Sequence, residues 1–319
     1  MIRVAVLFLL AIQGLAALVS PGSRQQRTPI TPAVLQRSDT AGTGVPLNGL
    51  KLPLKSGSVR FAVIGDNGTG ERAQYEVADQ MAKFHEAFPF EFVIMLGDNL
   101  YGGSSPKDFA QKFEIPYKAL IDGGVKFYAS LGNHDNPNER FYSPFNMGGQ
   151  RYYSFKKGNV QFFALDSNYM DPQQLAWIEQ QLHSANSTWR IPFFHHALYS
   201  DGTFHGPDVD LRTRIQPLFE KYGVDVVLSG HEHVYERFKP LNGIYYFIIG
   251  NSGELRFHNL KPSANMAKGF DSDRDFMLVE VAGDELYFQT ISRTGQTVDY
   301  DMLVNQRSKS DHPVAAKPN

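Results

Sequence analysis

The sequence predicts an α/β protein folded as a layered sandwich. Short apolar runs of strand length alternate with longer stretches of helical spacing, and the C-terminal part then switches to strands alone. No internal repeat is present. Strand–helix units followed by a strand-only end favour a sandwich over a simple doubly wound sheet.

In chain order, Val59–Ile64, Phe92–Leu96, Lys126–Leu131, Val160–Leu165, Ile191–Phe194 and Val224–Leu228 read as buried strands, because each is almost continuously apolar. Glu71–Ala87, Pro172–His183 and Asp208–Lys221 carry helical spacing, with Pro172 suited to a first helical turn. The strand-only end comprises Ile244–Ile249, Phe276–Val281, Glu285–Ile291 and Thr297–Met302. The sequence places this single catalytic-size domain at 58–304, with a Pro/Ser/Thr-rich disordered linker at 21–57 and a flexible tail at 305–319. Residues 1–20 have one charge, Arg3, then the apolar run Val4–Ile12 and small residues at Ala16 and Ala17. That pattern reads as a signal peptide and implies a secreted or periplasmic protein; it is too short and interrupted for a stable membrane span. Asn186-Ser187-Thr188 is a glycosylation sequon if the host is eukaryotic.

Composition removes whole classes of function. The chain has 319 residues and no cysteine, which excludes disulfides, thiol catalysis and iron–sulfur or Cys-zinc sites. With 31 Lys+Arg against 33 Asp+Glu, it offers no basic field for nucleic acid. Gly65–Gly70 lacks the Lys-Ser/Thr of a phosphate-binding loop, and no nucleophile elbow is present. A protein of this charge that handles phosphate needs positive charge from metal.

The functional signal lies where strands end. Gly65-Asp66, Gly97-Asp98, Gly132-Asn133-His134-Asp135, His195-His196 and Gly230-His231-Glu232-His233 each follow or close an apolar run. Ligands bind at carboxyl ends of strands in such sheets. One Gly-Asp is an ordinary turn, but five junctions in order, all carrying metal-ligand residues, are not explained as turns. Asp66, Asp98, Tyr101, Asn133, His195, His231 and His233 supply seven side chains, about what two metals sharing one carboxylate require. His231 and His233 share a side if extended, whereas a bend aims them at different metals. His195 and His196 point to opposite faces of a strand, so only one of them is expected to be a ligand.

These blocks resemble those of the metallophosphoesterase superfamily, specifically the purple acid phosphatases of the small, tartrate-resistant type. Asp66 matches the GDxG block, Asp98 and Tyr101 the GDxxY block, Asn133-His134-Asp135 the GNH[DE] block, and Gly230–Arg237 the GHxHxYER block. Phe193–Tyr199 matches the remaining block with His195 as ligand, and Ala197 where proline is usual. The resemblance implies a four-layer α/β/β/α sandwich of two mixed sheets flanked by helices. It also implies a secreted acid phosphatase that hydrolyses phosphate monoesters with a hydroxide bridging a binuclear Fe(III)–M(II) centre. Gly68 stands where ordinary calcineurin-like enzymes have histidine, and Tyr101 replaces that ligand. Asp66, Asp98, Tyr101 and His233 are thereby expected to hold Fe(III), a hard cation suited to a phenolate. Asp98, Asn133, His195 and His231 are expected to hold divalent Fe, Zn or Mn. His134 is implied to contact the phosphate, with Asp135 orienting it, and His205 to protonate the leaving group. Glu236 and Arg237 read as structural support. The expected partner is a small phosphorylated substrate, and the protein reads as a monomer. The alternatives are a phosphodiesterase or nucleotide hydrolase using the same centre, or a non-catalytic metal-containing binding protein. Only Ser167–Asp171 stands where small animal members carry a longer repressive loop, so activity without proteolytic clipping is expected. Phe141–Phe145 is a candidate stacking wall for the leaving group, with packing the more ordinary use of its rings.

Overall fold

In the computed structural model of the chain, residues 49–305 and 307 are described. The expected signal peptide and most of the linker and tail lie outside the described residues. Among the described residues, thirteen strands form two sheets. The first contains β1 (Val59–Ile64), β2 (Phe92–Met95), β3 (Lys126–Ala129), β11 (Asp275–Ala282), β12 (Glu285–Ser292) and β13 (Thr297–Val304), in the order β13-β12-β11-β1-β2-β3. The second contains β4 (Tyr153–Lys157), β5 (Val160–Ala164), β6 (Trp189–Phe193), β7 (Val226–Ser229), β8 (Tyr235–Phe238), β9 (Tyr245–Ile249) and β10 (Met266–Phe270), in the order β10-β8-β9-β7-β6-β5-β4. Both sheets are mixed. In the first, β1, β2 and β3 are parallel; in the second, β5, β6, β7 and β9 are.

Period-two alternation explains the layers. Phe61, Val63, Phe92 and Ile94 face the second sheet and meet Phe162, Ile191, Phe193, Leu228 and Phe247. Phe61 stacks on Phe92 at 5.2 Å between ring centroids and meets Phe162 edge-on at 5.2 Å. The intervening residues Ala62, Ile64, Val93 and Met95 turn the other way, toward Val77, Met81 and Phe84 of α1 (Arg72–Ala87). On the far side, Ile178 and Leu182 of α4 (Pro172–Ser184) and Leu211, Ile215 and Phe219 of α5 (Val209–Lys221) cover Val227, Tyr246 and Ile248. The result is an α/β/β/α sandwich. Central strands are buried on both faces, which is why their sequences are continuously apolar. Two short helices, α2 (Pro106–Phe109) and α3 (Lys118–Asp122), and a π-helical turn at Ala110–Glu114 join β2 to β3.

Several elements differ from the sequence reading. β4, β8 and β10 were not expected, because β4 and β10 are edge strands with mixed composition and β8 interleaves Glu236 and Arg237 with buried Tyr235 and Phe238. The linker reading fails at its end. Leu52 is buried, and the Leu54 and Lys55 amides donate to the Glu280 carboxylate at 2.8 and 2.5 Å. That acid on β11 ties residues before Ser58 to the sheet. The tail reading likewise starts too early, since Asn305 is buried and its side chain donates to the Thr188 carbonyl at 2.7 Å.

Candidate metal centre

The parallel strands of both sheets end at one place, and their carboxyl ends deliver the candidate ligands. The Asp66 amide donates to the Gly97 carbonyl at 3.0 Å, joining the β1 and β2 ends. The His231 amide donates to Asp66 Oδ2 at 2.9 Å, and His195 Nδ1 lies 3.0 Å from the Leu96 carbonyl, joining the two sheets. Asp66, Asp98 and His231 all take positive φ, at 52°, 51° and 71°. Such a conformation costs on the order of 1–3 kcal/mol at a non-glycine residue and persists only where surrounding structure enforces it. The glycines beside them permit the crowding. A Cβ on Gly132 would sit 2.1 Å from Asp98 Oδ1, and one on Gly230 would sit 2.3 Å from Asp66 Oδ2.

The structure brings all seven sequence-predicted ligand candidates into one cluster of two donor sets. In the first, one ligand atom each of Asp66, Asp98 and His233 lie within 4.8 Å of one another. The Tyr101 hydroxyl adjoins them, 3.4 Å from Asp66 Oδ1 and 3.3 Å from His233 Nε2. In the second, His195 Nε2 lies 2.9 Å from Asn133 Oδ1, 3.0 Å from His231 Nδ1 and 3.5 Å from Asp98 Oδ1. Asp98 is thus common to both sets. The left-handed bend at His231 sends its ring to the second set and the His233 ring to the first, the bent alternative of the sequence reading.

The electrostatics of the cluster fit cations. Burial, then the neighbouring Asp98 charge, pushes the Asp66 carboxyl well above its ordinary range, and burial also raises Asp98. Burial and the two aspartates raise the Tyr101 phenol. Burial lowers His195 and His231, reinforced by adjacent imidazoles. Asp98 Oδ2 is buried with no hydrogen-bond partner. An anionic set with an orphan oxygen, facing imidazoles held neutral, is costly by itself and is relieved by positive ions.

The residues expected to act on substrate lie at the mouth. Asn133 and His134 are exposed, and the His134 ring packs 4.9 Å from Tyr101. The His205 ring lies 4.0 Å from His231 and 5.7 Å from His233, so a loop distant in sequence reaches the same mouth. Asp135 departs from its expected role. It is buried and accepts from the Leu100 and Gly132 amides at 2.9 and 2.8 Å and from Asn99 Nδ2 at 2.8 Å. Its hydrogen bonds fasten backbone beneath His134 and do not reach the imidazole. The opposite-face rule for His195 and His196 also fails, because β6 ends at Phe193. His196 lies 4.4 Å from the His231 ring and hydrogen-bonds Ser167 Oγ at 2.8 Å.

Sequence reasoning missed other contributors. The Glu254 amide donates to the Asp66 carbonyl at 3.0 Å and the Arg256 amide to the His233 carbonyl at 2.9 Å. The Arg256 guanidinium lies 3.7 Å over Phe204. No local pattern marks either residue. Asn99, between Asp98 and Tyr101, had the one available signal, its place inside a ligand block. A cavity of about 380 Å³ opens beside Asn133, lined by Leu131, Arg151, Asn168 and Tyr169 among others. Within Phe141–Phe145 the rings mainly pack: Phe145 is buried and Tyr142 stacks on Phe109 at 3.9 Å, while Phe141 is exposed. Among the described residues, no helix is long and apolar enough to cross a membrane.

This chain belongs to the calcineurin-like phosphoesterase family, whose model matches residues 59–235. It is a metal-dependent phosphatase whose curated relatives are purple acid phosphatases. It is 25% identical over 298 residues to purple acid phosphatase 4 of Arabidopsis thaliana, covering 81% of this chain and 85% of the relative. It is 27% identical over 273 residues to tartrate-resistant acid phosphatase type 5 of Oryctolagus cuniculus, covering 66% of this chain and 83% of the relative. In fold it is similar to a purple acid phosphatase from yellow lupin seeds, with a TM-score of 0.66, 20% identity and coverage of 83% of this chain and 57% of the other. The GAP50 anchor of the Plasmodium inner membrane complex shares the fold at the same TM-score of 0.66 and 18% identity, covering 78% of this chain and 89% of the other.

Proposed function

We propose that the chain is a secreted acid phosphatase that hydrolyses small phosphate monoesters at a binuclear centre. The single observation that carries this reading is Asp98, a buried carboxylate between two donor sets, with one oxygen left without a hydrogen-bond partner. Asp66, Asp98, Tyr101 and His233 would hold Fe(III), and Asp98, Asn133, His195 and His231 would hold a divalent Fe, Zn or Mn ion. When bound, the ions lower the pKa of water and neutralise phosphoryl charge. The protein's own groups do the rest. The exposed His134 ring, backed by Tyr101, contacts the phosphoryl oxygens. His205 gives its ring proton to the ester oxygen as that oxygen leaves, so the alcohol departs neutral. Asp135 and Asn168 hold the His134 loop from below, Asn168 through the Leu131 carbonyl at 3.1 Å.

A phosphodiesterase is the second reading, because the cavity beside Asn133 has room for a second ester group. Metal-loaded protein should be assayed from acid to neutral pH on an aryl monoester and its diester. The expected result is an acidic optimum and monoester preference without prior trypsin treatment. A diester preference favours the second reading, and strong activation by trypsin overturns the open-site expectation. Iron-loaded protein should be violet to pink through tyrosinate-to-Fe(III) charge transfer, and Tyr101→Phe should bleach it. Colourless iron-containing wild-type protein refutes the Tyr101 assignment.

A further inference from the structure

Glu232 sits between the histidines His231 and His233, yet its side chain points away from the donor sets. It is fully buried. Its carboxylate accepts from three consecutive backbone amides: Phe204 at 3.2 Å, His205 at 2.9 Å and Gly206 at 2.8 Å. The Asn259 side-chain amide donates to the same carboxylate. Gly202 is built around it, since a Cβ there would lie 2.2 Å from Glu232 Cγ. The loop thus closes over a buried anion with four donors, on the residue immediately after the bend at His231 that aims His233. A second buried acid, Glu236, takes the Asp201 amide at 2.6 Å and so anchors the base of the same loop.

We propose that Glu232 is the positioning residue for His205, holding its ring against His231 at the mouth of the centre. The inference rests on the reading of His205 as a substrate-contacting group. Physically, backbone pairing holds the base of this loop, through an isolated antiparallel bridge between Gly202 and Leu260, and a buried carboxylate supplies charge-assisted hydrogen bonds to the segment Phe204–Gly206 beyond it. Glutamine cannot substitute well. It offers a single acceptor oxygen and turns an NH₂ group toward amides that also donate. Aspartate keeps the charge but falls one methylene short.

The test compares Glu232→Gln, Glu232→Asp, His205→Ala and the Glu232→Gln/His205→Ala double variant, all metal-loaded. His205→Ala is expected to lose roughly 10²–10⁴-fold in kcat, the span for a general acid–base group. Glu232→Gln is expected to keep both metals by elemental analysis and approach the His205→Ala rate. The double variant is expected to be no slower than His205→Ala, because the two changes disable one function. Glu232→Asp should recover part of the rate. Independently of activity, hydrogen exchange at the Phe204, His205 and Gly206 amides should quicken by about tenfold or more in Glu232→Gln. If Glu232→Gln fails to fold, Gly202→Ala disturbs the same clamp from the other side and is read against the same His205→Ala background. Additive losses, loss of metal or unchanged amide exchange overturn the proposal. An inert His205→Ala with faster exchange in Glu232→Gln removes the role of His205 itself and leaves the clamp as structure only.

Discussion

The two halves of the centre are held in place by different means. The donor sets lie where parallel strands end, and the sheets fix them: Asp66, Asp98 and His231 take positive φ where strand ends are tied together within the first sheet, by the Asp66 amide on the Gly97 carbonyl, and across the sheets, by the His231 amide on Asp66. The groups at the mouth, His134 and His205, lie on loops and are fixed from beneath by buried carboxylates, Asp135 under one and Glu232 under the other. Position in the first half is a property of the fold. In the second it depends on a few charge-assisted hydrogen bonds, each of which can be removed without touching a sheet.

The largest expected effect comes from striking the shared donor. Asp98→Asn should lose both metals and all measurable phosphatase activity together, read by elemental analysis and turnover. Retention of both ions would separate Asp98 from its bridging role. His134→Ala should be next, keeping both metals while kcat falls roughly 10²–10⁴-fold. Metal loss in that variant would erase the distinction between the halves.

Asp135→Asn attacks the fastening of the second half. It leaves a carboxamide where two backbone amides and the Asn99 amide donate. The expected outcome is a loss of about 10–100-fold, the range for residues that orient a metal site from outside it. If its metal content fell as far as that of Asp98→Asn, Asp135 would belong with the donors.

The smallest effect is on stability against pH. Burial raises the Glu236 carboxyl from 4.5 to about 7, so the folded state favours its neutral form. The sign follows: this contribution is fully present below the unfolded value of 4.5 and is lost as pH rises through about 7. In chelator-treated protein, Glu236→Gln should therefore shift the difference in melting temperature between pH 5 and pH 8 by about 2–4 °C in favour of pH 8, equivalent to roughly 1 kcal/mol in a domain of this size. An unchanged difference would show that Glu236 is ionised throughout.

How much of this was readable along the chain varies residue by residue. Asp66 and Asp98 were legible because each follows a glycine at the end of a buried apolar strand, and both the strand and its end are local features. His205 was legible mainly through resemblance. Asp135 stands in a recognisable block, but its contacts are not legible along the chain, since its partners Leu100 and Asn99 come from the preceding strand's loop. The direction of His196 could not be read from alternation, because alternation stops where β6 does.

By itself the sequence determined which residues could form strands, where those strands stop, and which donors stand at the stops, because burial on both faces demands continuous apolar runs and tight turns demand glycine. Tertiary structure alone decided what holds the donors and the mouth in register. Glu232 meets amides 26–28 residues earlier in the chain, and Arg256, on a third loop after β9, lies over Phe204. Such pairings depend on which strands lie side by side in the second sheet, and no period or motif within either segment encodes them.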